Sequence, residues 1–249
     1  MLGSSDLDYL ISIFALSRLG YAVLLLSTRL SVEAIAKLLE STASEDILVS
    51  PAMETVVRKV QDARSLNSAL IPKKDAYSQY TKNSDTYLTG NAVKSKRWAF
   101  IIHSSGSTGL PKPIFQTHSA CIANYAISKP YEPLITLPLY HNHGISTFFR
   151  AVFKAKKATL YNANLPLTGA YLRNAIETTK PESFHGVPYA LKLLSEVDGG
   201  TEALATCNQV LFGGSSCPDE LGDKLVAQGV NLVGHYGSYV FCYICSIYP

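Results

Sequence analysis

Short apolar, β-prone runs alternate with helix-like stretches along most of this 249-residue chain. The predicted strands are residues 21–26, 47–49, 98–102, 114–116, 134–139, 158–161, 182–187, 209–212 and 231–233. The predicted helices are residues 7–19, 31–39, 53–63, 118–127, 144–153, 170–179, 188–197 and 218–228. Regular alternation of this kind is typical of right-handed βαβ units. We therefore predict an α/β fold, in which a layered, mainly parallel sheet is flanked by helices.

The segment 64–96 does not follow this alternation. It is polar and shows little periodicity, so it is predicted to be a long connection that holds one short helix. Ligands of parallel sheets gather at the carboxyl ends of the strands. The loops at 104–113, 140–144, 213–217 and 235–238 are therefore the candidate functional sites.

The loop that follows the strand 98–102 is suited to a polyanion. It reads S-S-G-S-T-G-L-P-K from Ser104 to Lys112. Its glycines let successive backbone N–H groups face one point, its hydroxyls add neutral donors, and its lysine adds a positive charge. The candidate phosphate-binding residues are Ser105, Gly106, Ser107, Thr108, Gly109 and Lys112. The order is not that of the G-x-x-x-x-G-K-[ST] loop, and a polar surface turn is the alternative.

The segment 137–144 also separates a predicted strand from a predicted helix. A carboxylate could be held there by the imidazole of His141 and by the N-terminus of the helix. His141 and His143 form an H-x-H pair, but no third ligand is indicated, so no metal site is predicted. A loop histidine that is hydrogen-bonded to backbone is the alternative.

Two further loops follow predicted strands near the end of the chain. Gly213, Gly214 and Ser215 would allow a flat ring or a phosphate to approach the backbone, although a tight turn would need the same residues. The stretch from His235 through Tyr236 to Gly237 follows the last predicted strand.

These motifs together resemble the adenylate-forming superfamily, which includes acyl-CoA synthetases, adenylation domains of non-ribosomal peptide synthetases and luciferases. Residues 104–112 match every fixed position of its phosphate loop, [ST]-S-G-[ST]-T-G-x-P-K-G, and Pro113 replaces the usual final glycine. Residues 138–144 look like its P-L-[FY]-H-x-x-G segment, and residues 213–214 are similar to its adenine-side loop. Tyr236 and Gly237 match the start of its Y-G-x-T-E motif. Val240 stands at the position of the glutamate, and a valine cannot bind magnesium in its place.

The resemblance implies an enzyme that uses ATP and Mg²⁺ to convert a carboxylic acid into an acyl-adenylate. The acyl group would then pass to the thiol of coenzyme A or of a carrier's phosphopantetheine. It implies that residues 105–109 and Lys112 hold the β- and γ-phosphates, and that Lys112 and His141 are the catalytic residues. Residues 213–215 and 235–237 would bind adenosine, and His141 would face the substrate carboxylate. The amino-acid sequences of residues 184–189 and 211–214 most resemble those of fungal synthetase-like reductases.

The same resemblance gives an expected domain organisation. Residues 6–238 would be a partial adenylation domain, belonging to the large N-terminal subdomain and truncated at both ends. Residues 239–249 would be an atypical apolar tail, and the small C-terminal lid domain would be absent. The chain alone is therefore expected to be inactive.

Two alternative functions remain open. One is a non-catalytic nucleotide-binding pseudoenzyme, and the other is an α/β hydrolase with a nucleophile elbow at Ser215, although this elbow lacks its second glycine.

Composition argues against several other classes of protein. The formal net charge of +3 is small and the basic residues are scattered, so no nucleic-acid partner is expected. Five irregularly spaced cysteines do not suggest a disulfide framework. The apolar stretch 9–26 is broken by Arg18 and Gly20, so no membrane association is expected and a cytoplasmic location is predicted.

Overall fold

The computed structural model describes residues 1–80, 97–104 and 109–235. The chain divides into two compact units, Met1–Ile122 and Ala123–Pro249. The first unit has two small sheets, the second has one five-stranded sheet, and each unit has its own apolar core.

The first unit contains short strands and helices in irregular alternation. In chain order they are α1 (Leu7–Arg18), β1 (Val23–Leu24), α2 (Val32–Ser41), β2 (Asp46–Val49), α3 (Glu54–Gln61), β3 (Asn67–Leu70), α4 (Lys74–Tyr77), β4 (Trp98–His103) and β5 (Pro113–Thr117). The next helix, α5 (His118–Ala126), begins in this unit, and its residues from Ala123 onward belong to the second unit. Two turns of 3₁₀-helix, Pro51–Met53 and Ser78–Tyr80, precede α3 and follow α4.

The strands of the first unit pair in two groups. β4 is parallel to β1 on one side and antiparallel to β5 on the other. β2 and β3 are parallel to each other. Leu2 forms parallel bridges to both Leu26 and Val49, and it therefore links the chain beyond β1 to β2. Leu2 is fully buried in a core to which α2, α3 and the strands contribute leucine, isoleucine and valine side chains.

The second unit is built on one parallel sheet. In chain order its elements are β6 (Pro133–Ile135), α6 (Asn142–Phe153), β7 (Thr159–Leu160), α7 (Gly169–Thr179), β8 (Ser183–Gly186), α8 (Pro188–Ser195), α9 (Gly200–Ala205), β9 (Gln209–Gly213), α10 (Asp219–Ala227) and β10 (Leu232–His235). The five strands lie in the order β10-β9-β8-β6-β7, and every pairing is parallel.

The two faces of this sheet differ because side chains alternate along each strand. Phe184, Val210 and Phe212 point to one face, where they join a buried cluster with apolar side chains of α7, α8, α9 and α10. Ser183 and His185 lie on the opposite face, which is more polar. One face therefore forms the core of the unit, and the other remains available for a site.

The structure confirms the α/β class, the parallel sheet and the flanking helices. Helices predicted at 7–19, 31–39 and 170–179 end within two residues of their observed limits. Two of them are capped by side chains: Ser31 accepts a hydrogen bond from the N–H of Ala34, and Thr168 accepts one from the N–H of Tyr171. The domain limits at residues 6 and 238 remain predictions, and residues 239–249 lie outside the described part of the chain.

The prediction for residues 64–96 was wrong in part. The expected short helix is α4, but residues 67–70 form β3, and all four of these residues are exposed. Backbone pairing with β2 forms this strand, and its sequence N-S-A-L has neither apolar alternation nor β-branched residues to predict it. Residues 81–96 lie outside the described ranges. Helix α9 was also missed, because its six residues are too few to show a helical period.

Across residues 1–80, 97–104 and 109–235, the helices are all too short or too polar to span a lipid bilayer.

Candidate functional site

The predicted phosphate loop lies between the antiparallel strands β4 and β5. The N–H of Ser104 donates to the carbonyl oxygen of Lys112 (3.0 Å), and the N–H of Lys112 donates to Oγ of Ser104 (2.9 Å). These two hydrogen bonds close the base of the loop. The side chain of Lys112 is exposed, and Gly109 has a φ of +141° with open space around it. Residues 105–108 lie outside the described part of the chain.

His103 fixes the start of the same loop. Its Nε2 accepts a hydrogen bond from the N–H of Ser27 (3.1 Å), and its Nδ1 lies 2.9 Å from the carbonyl oxygen of Ser104. The first bond requires an unprotonated Nε2, so Nδ1 carries the proton and donates to Ser104. Burial lowers the pKa of His103, which favours this neutral form.

His141 lies at the N-cap position of α6, as the strand–loop–helix prediction requires. Its φ and ψ of −98° and 142° are extended, and its carbonyl oxygen accepts a hydrogen bond from the N–H of Ile145. Its ring meets the ring of Tyr140 edge-on, with 4.8 Å between their centroids.

Gly144, the last residue of the P-L-Y-H-N-H-G segment, lies in the first turn of α6. A Cβ on Gly144 would collide with the carbonyl oxygen of Pro138 and lie 2.9 Å from that of Leu137. The helix therefore packs directly on the backbone of the preceding loop, and only glycine allows this approach.

Three histidines meet on the polar face of the sheet. Nε2 of His143, on α6, lies 3.3 Å from Nδ1 of His185, on β8. The rings of His143 and His235, which ends β10, are 4.8 Å apart at an interplanar angle of 84°. His185 is also within hydrogen-bond distance of the hydroxyls of Thr147 (3.3 Å) and Ser183 (3.2 Å). We call His143, His185 and His235 the histidine cluster.

Each member of the histidine cluster is held in its neutral form. Burial, and then the positive charge of Arg150, lower the pKa of His185 to about 3 and that of His235 to about 4. Burial also lowers the pKa of His143 well below its usual value, with contributions from the other two histidines and Arg150. A neutral imidazole has one donor and one acceptor. The cluster therefore offers hydrogen bonds but no charge, and Arg150 supplies the positive charge nearby.

A cavity of about 500 Å³ extends from His185 along the polar face of the sheet. The strands contribute to it in pairs, Ser183 and His185 from β8 and Gln209 and Leu211 from β9, because residues two apart share a face. The remaining lining residues are Ile127, Ser128, Lys129, Tyr131, Pro133, Thr147, Arg150 and Ala151.

Arg150 is the buried cation of this cavity, with 5% of its surface exposed. Its Nε and Nη2 donate to the side-chain oxygen of Asn124, at 3.1 and 2.7 Å. His143, Thr147 and Arg150 lie at positions i, i+4 and i+7 of α6 and therefore share one helix face. That face runs beside the histidine cluster and continues along the cavity.

The predicted glycine loop follows β9. A Cβ on Gly213 would lie 2.8 Å from the carbonyl oxygen of His235 and 3.5 Å from Nδ1 of His143. The missing side chain thus leaves room for the backbone of β10 and for an imidazole of the histidine cluster. Gly214 has a φ of +88°, a region that favours glycine, and Gly214 and Ser215 are exposed. Tyr236 and Gly237 lie outside the described residues.

The sequence analysis did not single out His185, Arg150 or Asn124, and it assigned no role to His143 beyond the H-x-H pair. Two signals could have found part of this set. His143, Thr147 and Arg150 form a polar i, i+4, i+7 row in a helix whose second half is mostly apolar. His185 interrupts a buried strand.

The H-x-H pair does not act as a unit. His141 lies at the N-cap position of α6, where its side chain forms no capping hydrogen bond, while His143 faces the histidine cluster. In the described ranges, no group of three or more His, Cys, Asp and Glu side chains is arranged to hold a metal ion.

Comparison with protein families matches residues 2–247 to the model described as AMP-binding enzyme. Over 253 residues the chain is 29% identical to an adenylate-forming reductase of Aspergillus terreus, which covers 94% of this chain and 24% of the reductase. Over 254 residues it is 31% identical to a non-canonical non-ribosomal peptide synthetase of Acremonium egyptiacum, covering 94% of this chain and 23% of the synthetase. The chain thus spans about a quarter of the length of these curated relatives.

Solved structures show the same fold. A luciferase-like enzyme from the mealworm Zophobas morio superposes with a TM-score of 0.80 at 21% identity, covering 95% of this chain and 59% of that one. An anthranilate CoA ligase in complex with anthranoyl-AMP also superposes with a TM-score of 0.80, at 12% identity, covering 95% of this chain and 48% of the ligase.

Proposed function

Because this chain belongs to the AMP-binding enzyme family, we propose that it contributes to the ATP-dependent activation of a carboxylic acid. The acid would become an acyl-adenylate, and its acyl group would then pass to the thiol of coenzyme A or of a carrier's phosphopantetheine. The family match over residues 2–247 is the observation that carries the proposal. Several relatives are named adenylate-forming reductases, which supports the same first step.

In the first half-reaction, a carboxylate oxygen attacks the α-phosphorus of ATP. A new P–O bond forms to the acid, the bond to the bridging oxygen breaks, and pyrophosphate leaves with its electron pair. Reactions of this kind depend mostly on positioning and on neutralising charge. In the second half-reaction, a thiolate attacks the acyl carbon, and AMP leaves.

We assign the roles of the phosphate loop from its chemistry. Residues 105–109 and Lys112 would hold the β- and γ-phosphates, with Lys112 as the point charge on the leaving group. Two observations support this role. The N–H of Lys112 donates to Oγ of Ser104 and closes the base of the loop, and the side chain of Lys112 is exposed, so a polyanion can reach it. Mg²⁺, when bound, would neutralise further charge on the leaving pyrophosphate.

We assign the adenosine and acid roles to residues of the second unit. Residues 213–215 and 235–237 would hold adenosine, and His141 would face the carboxylate. The position of His141 at the start of α6 supports its role, because the helix N-terminus favours a negative charge. One relative, the o-succinylbenzoate CoA synthetase of Bacillus subtilis, has been solved with ATP and magnesium.

A second candidate function is nucleotide binding without catalysis. It is favoured by one observation, Val240 at the position where the family motif has a glutamate that helps bind magnesium. Mg²⁺ relies on carboxylate and phosphate oxygens, which an isopropyl side chain does not provide.

Acid-dependent exchange of labelled pyrophosphate into ATP tests the two candidates. If the chain activates acids by itself, which would overturn the expectation that it is inactive alone, exchange should require an acid, fall at least about tenfold in Lys112→Met, and be unchanged in Lys74→Met, which removes a lysine outside the loop. If the chain only binds nucleotide, ATP should bind equally with and without Mg²⁺, with no exchange for any acid. A chain that neither binds ATP nor exchanges pyrophosphate would contradict both candidates.

A further inference from the structure

We propose that Arg29 is a second cation of the phosphate loop and that it binds the β- and γ-phosphates of ATP from the side opposite Lys112. The inference rests on the proposed function, because it assumes that residues 105–109 and Lys112 hold these phosphates. It adds a binding residue from a different part of the chain, the turn that follows β1.

The order of the strands brings this turn beside the phosphate loop. β1 and β5 lie on the two sides of β4, and β1 is parallel to β4. The pairing continues past the end of β1, where the N–H of Leu25 donates to the carbonyl oxygen of Ile101 (2.9 Å). Both chains therefore leave the sheet at the same edge, the one where the carboxyl ends of parallel strands collect ligands.

Hydrogen bonds join the turn to the base of the phosphate loop. The N–H of Ser27 donates to Nε2 of His103 (3.1 Å), and Nδ1 of His103 donates to the carbonyl oxygen of Ser104 (2.9 Å). Ser104 is bonded in turn to Lys112 through its N–H and its hydroxyl oxygen. A short series of contacts therefore connects Ser27, on one side of β4, with Lys112 on the other side.

The turn from Ser27 to Leu30 is closed by two further hydrogen bonds. Oγ of Ser27 accepts from the N–H of Arg29 (3.2 Å), and the carbonyl oxygen of Ser27 accepts from the N–H of Leu30 (3.3 Å). Ser27 is buried, whereas Arg29 is exposed. The backbone that carries the guanidinium is therefore fixed, while the side chain itself can reach a ligand.

Helix α2 places the other end of the turn near the phosphate loop as well. Leu110, a residue of the loop, lines one groove together with Val32, Glu33 and Ala36 of α2. α2 follows the turn after a single residue, Ser31. The turn therefore lies between two places at which the phosphate loop meets its neighbours in the first unit.

The charge of Arg29 is available for a ligand. Within the described ranges, 1–80, 97–104 and 109–235, its guanidinium forms no hydrogen bond and no ion pair. Glu33, the acidic residue nearest to it in sequence, is exposed, and an exposed ion pair would contribute little. Arginine suits phosphate because its planar set of donors forms paired hydrogen bonds with two oxygens.

Arg29 and Lys112 would hold the polyphosphate from two sides. Neighbouring strands lie about 4.8 Å apart, so the backbones at the end of β1 and the start of β5 are separated by about 10 Å, with the end of β4 between them. A cation on each side neutralises different oxygens of one polyphosphate. AMP lacks the β- and γ-phosphates and therefore gains nothing from Arg29.

Calorimetric titration of the 249-residue chain with ATP and with AMP, in the presence of Mg²⁺, tests the proposal. Arg29→Met should weaken ATP binding about tenfold, because it removes charge-assisted hydrogen bonds to phosphate. It should leave AMP binding within about twofold of the wild type. Arg29→Lys keeps the charge but not the paired donors, and it should recover part of the loss.

Arg58→Met is the matched control. Arg58 is an exposed arginine of the same unit that pairs with Glu54 on α3 (3.6 Å), so its removal changes the net charge equally. It should leave ATP affinity unchanged. A thermal melt shows whether each variant is folded, and Arg29→Gln replaces Arg29→Met if the methionine variant is not.

Unchanged ATP affinity in the folded Arg29 variant overturns the inference. An equal loss in Arg58→Met also overturns it, since the effect would then be one of net charge, and so does an equal loss of AMP affinity. Pyrophosphate exchange is measured separately. Weaker ATP binding in Arg29→Met without exchange in the wild type supports the inference and contradicts the proposed activation, whereas exchange with unchanged ATP affinity contradicts the inference alone. A wild-type chain that does not bind ATP overturns both.

Discussion

Nε2 of His143 and Nδ1 of His185 lie 3.3 Å apart, with the two imidazole planes at 77°. Both rings are held neutral by burial and by the charges around them. A hydrogen bond between two neutral imidazoles needs one donor and one acceptor, so the tautomer of one histidine depends on the tautomer of the other. Protonation turns an imidazole into a donor at both nitrogens, so the hydrogen bonds of the histidine cluster depend on pH.

The free energy of unfolding of the second unit should decrease as the pH falls from about 6.5 towards 4. In the native state the pKa of His185 is lowered to about 3 and that of His235 to about 4, whereas an unfolded histidine has its usual pKa of about 6.5. The unfolded chain therefore binds more protons in this range, and stability falls by about 1.4 kcal/mol per pH unit for each buried histidine. Melting temperatures at pH 7, 6 and 5 measure the slope.

A histidine variant separates this contribution from the titration of carboxylates. His185→Gln should melt with a shallower dependence on pH between 6.5 and 5 than the wild type. His118→Gln, which replaces a partly exposed histidine in the first unit, should change the slope less. An identical slope in His185→Gln and the wild type would contradict the assignment.

Gly144→Ala should destabilise the chain and weaken acid binding together. The new methyl group would meet the carbonyl oxygens of Pro138 and Leu137, so the first turn of α6 must move, and His143 moves with it. Overpacking of this kind costs about 1–3 kcal/mol. Urea unfolding and acid binding are the two measurements.

Gly229→Ala is the matched control for Gly144→Ala. Gly229 has a φ of +85° with nothing near its missing Cβ, so alanine there is strained only by its backbone conformation. It should lower stability without affecting acid binding. A similar loss of acid binding in both variants would show that Gly144 has no specific effect on the site.

His103→Phe should destabilise the first unit by about 2 kcal/mol. It removes the acceptor for the N–H of Ser27 and the donor to the carbonyl oxygen of Ser104, and partners left unpaired in a buried place are costly. Urea unfolding measures the loss. His118→Phe, at a partly exposed position, should change stability by less than about 0.5 kcal/mol, and comparable losses in the two variants would contradict the role of His103.

Ser104→Ala should weaken ATP binding by about threefold to tenfold, because the N–H of Lys112 loses its acceptor and the base of the phosphate loop is less well closed. Thr117→Ala is the control at the other end of β5, where the hydroxyl accepts from the N–H of Ala120 at the start of α5. It should reduce stability but not ATP affinity. Equal ATP affinity in the serine variant and the wild type would show that loop closure does not matter for nucleotide binding.

The parts of the fold that were predictable are those in which one segment contains its own signal. Helices α1, α2 and α7 have apolar periodicity, and Ser31 and Thr168 mark where two of them begin. β3 has no such signal, because its exposed residues are ordered by the backbone of β2 rather than by burial. The antiparallel turn from β4 into β5 was not predicted either, since alternation of strands and helices favours parallel pairing.

The candidate site also has residues that local motifs predict and residues that they do not. Loops with glycine, serine and lysine are visible as local motifs, and so is His141 at the start of a helix. The order of the strands and the orientation of α6 bring together the histidine cluster, Arg150 and Asn124. Their contacts join residues more than twenty positions apart, which no local pattern can indicate.

The cavity runs along the strands instead of stopping at their carboxyl ends. Ser183 and Gln209 are the first residues of β8 and β9, and four residues of strand, about 13 Å, separate Gln209 from Gly213. The cavity and the glycine loop that begins at Gly213 therefore occupy opposite ends of β9. A substitution at Ser183 or Gln209 can reshape the cavity while the backbone around Gly213 stays as it is.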